Sequence, residues 1–464
     1  MFNQFATSRT LLIDTENHAQ TSMSKLHFLL PSAIGILLFL TPISWGGDTT
    51  VGIGVITNWL KNLMGAYGLH VVIALTIITS ILTVLGTTFR VEWIQRHVRH
   101  KNLFVVSPIW LALRLFGMAF GLIYFFQVGP ELLISESIGG AVFVGIGVNV
   151  IAVYVVACLL LPLLTEFGLM EFVGTLSRPL FRRVFKLPGQ AAIDALTSIV
   201  GASAIGLLIT IDQYGRGNYT AREASVIATN FSIVSLPFCL VIASVAGIEH
   251  FFLPWYGMVI LACLMAAFIT PRLPPLSRKA DTYITTVAVP ATDNASEAQP
   301  LLVEAWRSAL QRAQQAPGIR EFFATGLVNL SFFLFSVVTA SLALATIASL
   351  LVFHTPIFNW LGSPLIALLE FAQLPEPAAA APALFSGFLD QYMPAIAAGR
   401  IESSSTSFVL AGLSVCQLVF MSEVGVIILR SNLPIRITDL VTIFLLRTAI
   451  VLPVLVVGAH LVVS

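Results

Sequence analysis

The chain has 464 residues, of which 57% are hydrophobic and only 10% are charged. This composition excludes an ordinary soluble domain, in which about 25% of residues are charged. The net charge of +1 gives no reason to expect a nucleic acid partner, and the four cysteines stand singly in apolar runs, where they are expected to pack as small hydrophobic residues. Composition therefore predicts a protein that lies mostly in a lipid bilayer.

Apolar runs of membrane-spanning length recur along nearly the whole chain. A bilayer core is about 30 Å thick and needs roughly 20 apolar residues per helix. The first 25 residues carry Asp14, Glu16 and His18 without a long apolar core, so we expect a cytoplasmic tail rather than a signal peptide. An all-α polytopic fold is predicted, with nine crossings at residues 27–43, 69–89, 103–127, 138–164, 225–247, 251–270, 322–352, 406–429 and 438–462.

Two further apolar stretches, residues 190–211 and 378–399, are interrupted by Gly, Pro, Ser, Asp and Gln. We expect them to be re-entrant hairpins that leave the membrane on the side they entered. With this topology 20 of the Lys and Arg residues fall on the cytoplasmic side, and only Lys61 and Arg400 fall outside. Since basic residues concentrate in cytoplasmic loops, this asymmetry supports the two hairpins and a cytoplasmic N-terminus.

The two hairpin regions share similar residues at a nearly constant sequence offset. Gly201 is matched by Gly387 and Asn230 by Gln417, at offsets of 186 and 187 residues. The topology places these repeats in opposite orientations, an arrangement typical of secondary transporters. The predicted organisation is a cytoplasmic tail, N-terminal scaffold helices, a first repeat, a cytoplasmic linker, and a second repeat with scaffold helices, at residues 1–25, 26–165, 166–270, 271–320 and 321–464.

Polar residues in the hairpins and in the helices that follow them are the candidate solute ligands. Non-helical backbone at membrane depth is tolerated only where it is buried in protein or lines an aqueous cavity. Hydroxyl and amide groups there can both donate and accept hydrogen bonds, although in membranes they also commonly join helices to one another. The candidates are Thr197, Ser198, Asn230, Ser232, Ser235, Asp390, Gln391, Gln417 and Ser422.

Two acidic residues are candidates for binding a coupling ion, namely Glu423 and Asp194. A carboxylate inside an apolar helix is costly unless it is paired, protonated or facing water. The alternative for Glu423 is a structural ion pair with Arg447 or Arg430. The sequence has no GxxxxGK[ST], HExxH or GxSxG motif, so we expect no enzyme activity, no metal site and no cofactor. A Na⁺ or H⁺ gradient would then be the energy source.

Three segments resemble the YjiH-like inner-membrane proteins, which carry the nucleoside-recognition Gate domain found in concentrative nucleoside transporters. They are LTSIVGASAIGLLI, GNYTAREASVIATNFSIVSLPF and FLDQYMPAIAAGRIESSS. The resemblance implies paired hairpins and broken helices around a central site in the inner membrane of a bacterium. It also implies that Asn230, Gln417, Ser422 and Glu423 lie in the helices corresponding to those that bind nucleoside and sodium.

Two functions therefore remain. The first is an ion-coupled transporter of a small polar, nucleoside-like solute that passes between the two hairpins. The second is a non-transporting subunit or assembly factor that acts with a partner membrane protein, as the related spore maturation proteins suggest. Oligomerisation with copies of itself is a further expectation from the resemblance, because the nucleoside transporters form trimers.

Overall fold

The computed structural model describes residues 25–39, 41–45, 48–89, 91, 103–200, 203–284 and 300–463. The predicted tail up to residue 24, residues 285–299 of the predicted linker and residues 201–202 of the first predicted hairpin lie outside these ranges. Within them the regular structure is helical apart from one small strand pair. The protein is therefore the all-α polytopic membrane protein that the sequence predicts.

The first part of the chain forms four helices and one short hairpin of strands. The strands pair antiparallel, with Pro42 opposite Val51 and Trp45 opposite Asp48. This hairpin is not anticipated by the apolar runs, because its strands are only four residues each. The elements are α1 Lys25–Phe39, β1 Pro42–Trp45, β2 Asp48–Val51, α2 Gly52–Met64, α3 Gly68–Thr87 and α4 Pro108–Phe126.

The rest of the chain contains two units with the same order of elements: a long helix, a shorter helix, a hairpin of two short helices, a broken helix and a final long helix. The first unit comprises α5 Glu131–Thr165, α6 Leu169–Leu180, α7 Ala191–Val200, α8 Ser203–Gly215, α9 Ala221–Asn230, α10 Leu236–Val245 and α11 Glu249–Arg272.

An amphipathic helix, α12 Leu301–Gln314, precedes the second unit and packs along α6 through Ala305, Ala309 and Ala313. From its sequence, residues 304–320 are predicted to be an amphipathic stretch at the membrane surface; the helix begins three residues before this stretch and ends six residues before its end. The second unit comprises α13 Ile319–His354, α14 Pro356–Phe371, α15 Pro377–Ser386, α16 Tyr392–Ala398, α17 Ser404–Cys416, α18 Val424–Arg430 and α19 Ile437–Val462.

Six helical segments among the described residues are long and apolar enough to cross a membrane, namely Gly52–Thr87, α4, α5, α11, α13 and α19. The predicted continuous crossings at 225–247 and 406–429 are wrong in one respect, because each is two helices separated by an unwound segment. We call residues 231–235 the first break and residues 417–423 the second break. The crossing predicted at 27–43 corresponds to α1, which has 15 residues and is shorter than the six long helical segments.

Each break has its own local cause. Pro237 lies in the first turn of α10, where its fixed φ and missing N–H suit a helix start and prevent an unbroken helix. The second break contains Leu418 at φ 57°, a left-handed conformation that is unfavourable for a leucine. A strained residue of this kind persists only where surrounding contacts hold it.

The two predicted hairpins are present. Their helices have 10 and 13 residues in the first unit and 10 and 7 in the second. At 1.5 Å per residue such helices are about 10–20 Å long, which is too short to cross a hydrocarbon core of about 30 Å. Each hairpin must therefore return to the side from which it came.

Corresponding long helices of the two units pack antiparallel. The first half of α13 contacts the second half of α5, and its second half contacts the first half of α5. Likewise Met258, near the start of α11, lies against Gly458, near the end of α19. The two units therefore run in opposite directions, as an inverted repeat requires.

Contacts between loops agree with the two sides assigned by the charge pattern. On the predicted exterior side, Lys61 lies 3.6 Å from Glu249, and Arg400 donates to the carbonyl of Ser137. Ion pairs on the predicted cytoplasmic side also join segments assigned to that side; they are Arg178–Glu304, Arg312–Glu166, Lys279–Asp439 and Arg222–Asp281.

Single cysteines at exposed positions will test which side faces the cytoplasm. We expect a membrane-impermeant maleimide to label Asn62→Cys in intact cells, and to label Arg307→Cys only after permeabilisation. Both native side chains are exposed, whereas the four native cysteines are buried, so the unmodified chain is the unlabelled control. Labelling of both variants from the same side would contradict the topology.

Candidate functional site

The two breaks, the tip of the second hairpin and the middles of α5 and α13 enclose a cavity of about 90 Å³, which we call the central cavity. Its polar lining residues are Ser235, Ser336, Ser341, Asp390, Gln391, Ser422 and Glu423, and its aromatic lining residues are Trp110, Tyr154, Phe238, Phe333, Tyr392 and Phe420. Five of the eleven residues predicted from sequence to bind solute or ion line it, namely Ser235, Asp390, Gln391, Ser422 and Glu423.

The second break is held against the tip of the second hairpin by its backbone. The N–H of Met421 donates to the carbonyl of Phe388 at 2.8 Å, and the N–H of Ser422 donates to the carbonyl of Leu389 at 3.1 Å. These bonds satisfy backbone groups that the helix leaves free when it unwinds. They also place Asp390, at the hairpin tip, beside Ser422 and Glu423 in the break.

Two carboxylates therefore share the central cavity. The Asp390 side chain accepts a hydrogen bond from the N–H of Tyr392 at 2.8 Å. Glu423 is partly open to the cavity, and in the part of the chain that the structure describes its carboxylate has no ion pair with either arginine considered from sequence. No Lys, Arg or His stands among the described residues lining the cavity.

Aromatic side chains form two walls of the central cavity. Tyr154 stacks on Phe333 with ring centroids 4.5 Å apart, and Phe238 contacts Tyr392 at 4.9 Å. Gln391, which is 7% exposed, has a buried Oε1 with no hydrogen-bond partner among the described residues. The cavity lining thus combines aromatic rings with one unsatisfied hydrogen-bond acceptor among the described residues.

A fully buried arginine, Arg447 of α19, connects the two breaks. Its Nη1 donates to Oδ1 of Asn230 at 2.7 Å, and its Nε and Nη2 donate to the carbonyl of Cys416 at 3.0 and 2.7 Å. Asn230 ends the helix before the first break and Cys416 ends the helix before the second. Arg447 is therefore occupied with the two helix ends and does not neutralise Glu423.

The two amides that match each other in the repeat both hold helices together. Asn230 also accepts from Thr270 at 2.5 Å, and Nε2 of Gln417 donates to the carbonyl of Leu384 and to Thr448 at 2.8 and 3.0 Å. Neither side chain lines the central cavity. Ser232 likewise lies outside it and donates to the carbonyl one turn earlier in α9.

The candidates in the first hairpin lie away from the described lining of the central cavity. Asp194 is buried and accepts a hydrogen bond from the hydroxyl of Tyr219 at 2.7 Å. Ser198 is buried and donates to the carbonyl of Asp194 at 3.2 Å. The side chain of Thr197 lies outside the described residues. The structure thus brings the second hairpin to the cavity, and places Asp194 in a separate hydrogen bond with tyrosine.

Sequence reasoning did not single out Tyr154, Ser336 or Ser341, all of which line the central cavity. The two serines are five residues apart, about 140° around an α-helix, so they do not form an obvious polar face. The structure brings them to one cavity because residues Phe333–Val338 form a π-helical turn. Such turns occur frequently at functional sites, but their position is not visible in the hydrophobic pattern.

A second cavity of about 480 Å³ lies between α2, α5, α10 and the start of α11. It contains both members of the Lys61–Glu249 ion pair, and Lys61 also donates to Ser244 at 3.2 Å. Ser244 in turn donates to Asn149 at 3.2 Å. The formal charges lining this cavity balance, in contrast to the acidic lining of the central cavity.

Replacing the buried arginine will test its role in holding the breaks. We expect Arg447→Met to lower the free energy of unfolding by about 2 kcal/mol, because it leaves a buried carbonyl without its donor. The measurement is unfolding of the purified protein in detergent. Arg430→Met, at an exposed arginine that is the last residue of α18, is the control and should change stability by less than about 0.5 kcal/mol. Equal stability of the two variants would contradict this role.

Comparison with known proteins agrees with this architecture. A family model described as nucleoside recognition, the Gate domain, matches residues 147–249, which run from the middle of α5 to the start of α11. An uncharacterised protein of Alkalihalophilus pseudofirmus is 39% identical over 440 residues, which cover 95% of each chain. The chain therefore has the transporter-like architecture of a Gate protein and belongs, with that relative, to the YjiH-like family of Gate-domain membrane proteins.

Proposed function

We propose that this protein is an ion-coupled secondary transporter of a small polar solute in the inner membrane of a bacterium, with its N-terminus in the cytoplasm. The observation that carries the proposal is the pair of carboxylates, Asp390 and Glu423, in a central cavity that has no basic residue in its described lining. Antiparallel units with broken helices support transport by movement of one unit against the other.

The carboxylates provide the coupling step. An ionised carboxylate in an apolar surrounding is costly unless it is paired, hydrated or protonated. Arg447, one of the two arginines considered from sequence as a partner of Glu423, is bound to Asn230 and Cys416. A cation that enters the central cavity, H⁺ or Na⁺, would therefore relieve the charge of Glu423 and Asp390, so that occupancy by the ion and the conformation of the breaks become linked.

The dimensions of the central cavity limit the solute. A volume of about 90 Å³ is well below the roughly 300–1,000 Å³ of pockets that enclose drug-sized ligands. It holds a few water molecules or a solute with few heavy atoms. A nucleoside would need the cavity to open, which favours a smaller solute for the conformation described.

The hydroxyl and amide groups of the cavity supply the solute contacts in this proposal. Ser235 from the first break and Ser422 from the second face the same space as Gln391, and such groups can both donate and accept hydrogen bonds. Because they come from both units, a bound solute would touch both. This arrangement is what a transporter needs if solute occupancy is to bias the movement of one unit relative to the other.

Transport assays with a neutral replacement of the coupling carboxylate will test the proposal. In proteoliposomes with an imposed pH or Na⁺ gradient, we expect the wild type to accumulate at least one labelled solute from a panel of nucleosides, bases, amino acids and amines. Glu423→Gln should reduce gradient-driven uptake at least about tenfold, a loss of ~1.4 kcal/mol in the rate-limiting barrier.

Glu249→Gln is the matched control, because Glu249 lies in the second cavity and pairs with Lys61. It should accumulate the solute at close to the wild-type rate. If Glu423→Gln accumulates the solute at the wild-type rate under every gradient, Glu423 has no role in coupling. Absence of uptake by the wild type for the whole panel would favour a non-transporting subunit.

A further inference from the structure

We infer that the solute of the central cavity is a small protonated amine, an inference that rests on the proposed transport function. The first observation is charge. Asp390 and Glu423 give the cavity a formal charge of −2, and no basic side chain stands among its described lining residues. With one coupling ion bound, a neutral solute would leave one carboxylate uncompensated and an anionic solute would add a further negative charge, whereas an ammonium group would neutralise the second carboxylate.

The second observation is the surplus of hydrogen-bond acceptors. The carboxylate of Asp390 accepts hydrogen bonds from the N–H of Tyr392 and from the hydroxyl of Ser422, which leaves further acceptor sites free on its two oxygens. Oε1 of Gln391 is buried without a partner in the described part of the chain. A buried acceptor of this kind costs about 1–3 kcal/mol unless a donor reaches it. A primary ammonium group carries three N–H donors and no acceptor, so its hydrogen-bonding capacity complements this lining.

The third observation is the aromatic lining. Six aromatic residues face the cavity, and the Tyr154–Phe333 and Phe238–Tyr392 pairs form two walls. A ring face attracts a cation within about 6 Å of its centroid and also accommodates apolar carbon atoms. An alkylammonium ion uses both properties, whereas a bare inorganic cation uses only the first.

The fourth observation is the contrast between the two cavities. The second cavity is larger, at about 480 Å³, and contains a lysine and a glutamate that pair with each other. The central cavity is small and acidic. Of the two cavities, it is therefore the one whose size and charge would select a compact cation. Its volume of about 90 Å³ limits the amine to a few heavy atoms in this conformation.

Thermal unfolding of the purified full-length protein in detergent will test the inference with three probes at constant ionic strength in potassium chloride. They are n-propylammonium, its neutral isostere 1-propanol, and tetramethylammonium, which keeps the charge but has no N–H donor. We expect n-propylammonium to raise the unfolding midpoint by at least about 2 °C, tetramethylammonium to raise it less, and 1-propanol not to raise it.

Variants then locate the binding site. Glu423→Gln and Asp390→Asn should each lose at least half of the shift caused by n-propylammonium, and Tyr154→Leu should weaken it while Tyr154→Phe retains it. Glu249→Gln should keep the full shift. If a variant does not fold, the comparison of n-propylammonium with 1-propanol on the wild type still decides the question.

The amine assignment is overturned if 1-propanol stabilises the protein as much as n-propylammonium, or if the shift survives in both carboxylate variants. Replacement of potassium by sodium separates this failure from failure of the transport proposal. A Na⁺-dependent shift that requires Glu423, without any amine effect, would overturn the amine assignment and leave ion coupling standing. No response to either cation would overturn the amine assignment and sodium coupling, and uptake by proteoliposomes under a pH gradient would then decide the transport proposal.

Discussion

The arrangement of the site depends on one buried cation, the guanidinium of Arg447. It is fully buried, and its three hydrogen bonds go to the ends of two helices that stop at membrane depth. A helix end exposes carbonyl groups without partners and carries a partial negative charge. At Cys416 the arginine supplies both a hydrogen-bond donor and a positive charge, and it also donates to the side chain of Asn230. These bonds hold the guanidinium at the breaks, and among the described residues Arg447 forms no ion pair with Asp390 or Glu423.

Separate contacts hold the backbone of the second break and leave its acidic side chain unpaired among the described residues. This explains how a strained segment and two acidic groups are found in one region. Leu418 holds a left-handed backbone conformation, which costs on the order of 1–3 kcal/mol. Backbone bonds from the second break to Phe388 and Leu389 compensate by satisfying free N–H groups. The break then presents Ser422 and Glu423 to the central cavity as a rigid pair. The acidic side chain is thus positioned by its backbone rather than by an ion pair, which leaves it open to a mobile cation.

The apolar runs and the charge asymmetry were sufficient to predict the long helices, both hairpins and the opposite directions of the units, but they did not predict α2 or α14. The breaks were harder to predict, because residues 225–247 and 406–429 are apolar enough to suggest continuous helices. The repeat alignment matched Asn230 with Gln417, and the structure places both at helix ends, yet in contacts between helices. A single sequence cannot decide whether a polar side chain faces a cavity or a neighbouring helix, since both positions are buried. Ser336 was missed for a related reason, because a π-helical turn changes which face of α13 it occupies.

The inverted repeat divides the cavity lining unequally between its two units. The second unit supplies both carboxylates, Asp390 and Glu423, while the first supplies a hydroxyl, Ser235, and aromatic faces at Tyr154 and Phe238. A cation held by the carboxylates would therefore stay with the second hairpin and second break if the units moved apart. Tyr154 and Phe238 would then move away from the cation, while their partners Phe333 and Tyr392 stayed with the second unit. Because cation–π and apolar contacts weaken when water enters, movement of the first unit away from the second would lower the affinity without moving the charged groups. The asymmetry of the lining thus gives an inverted-repeat fold a physical means of releasing a bound cation.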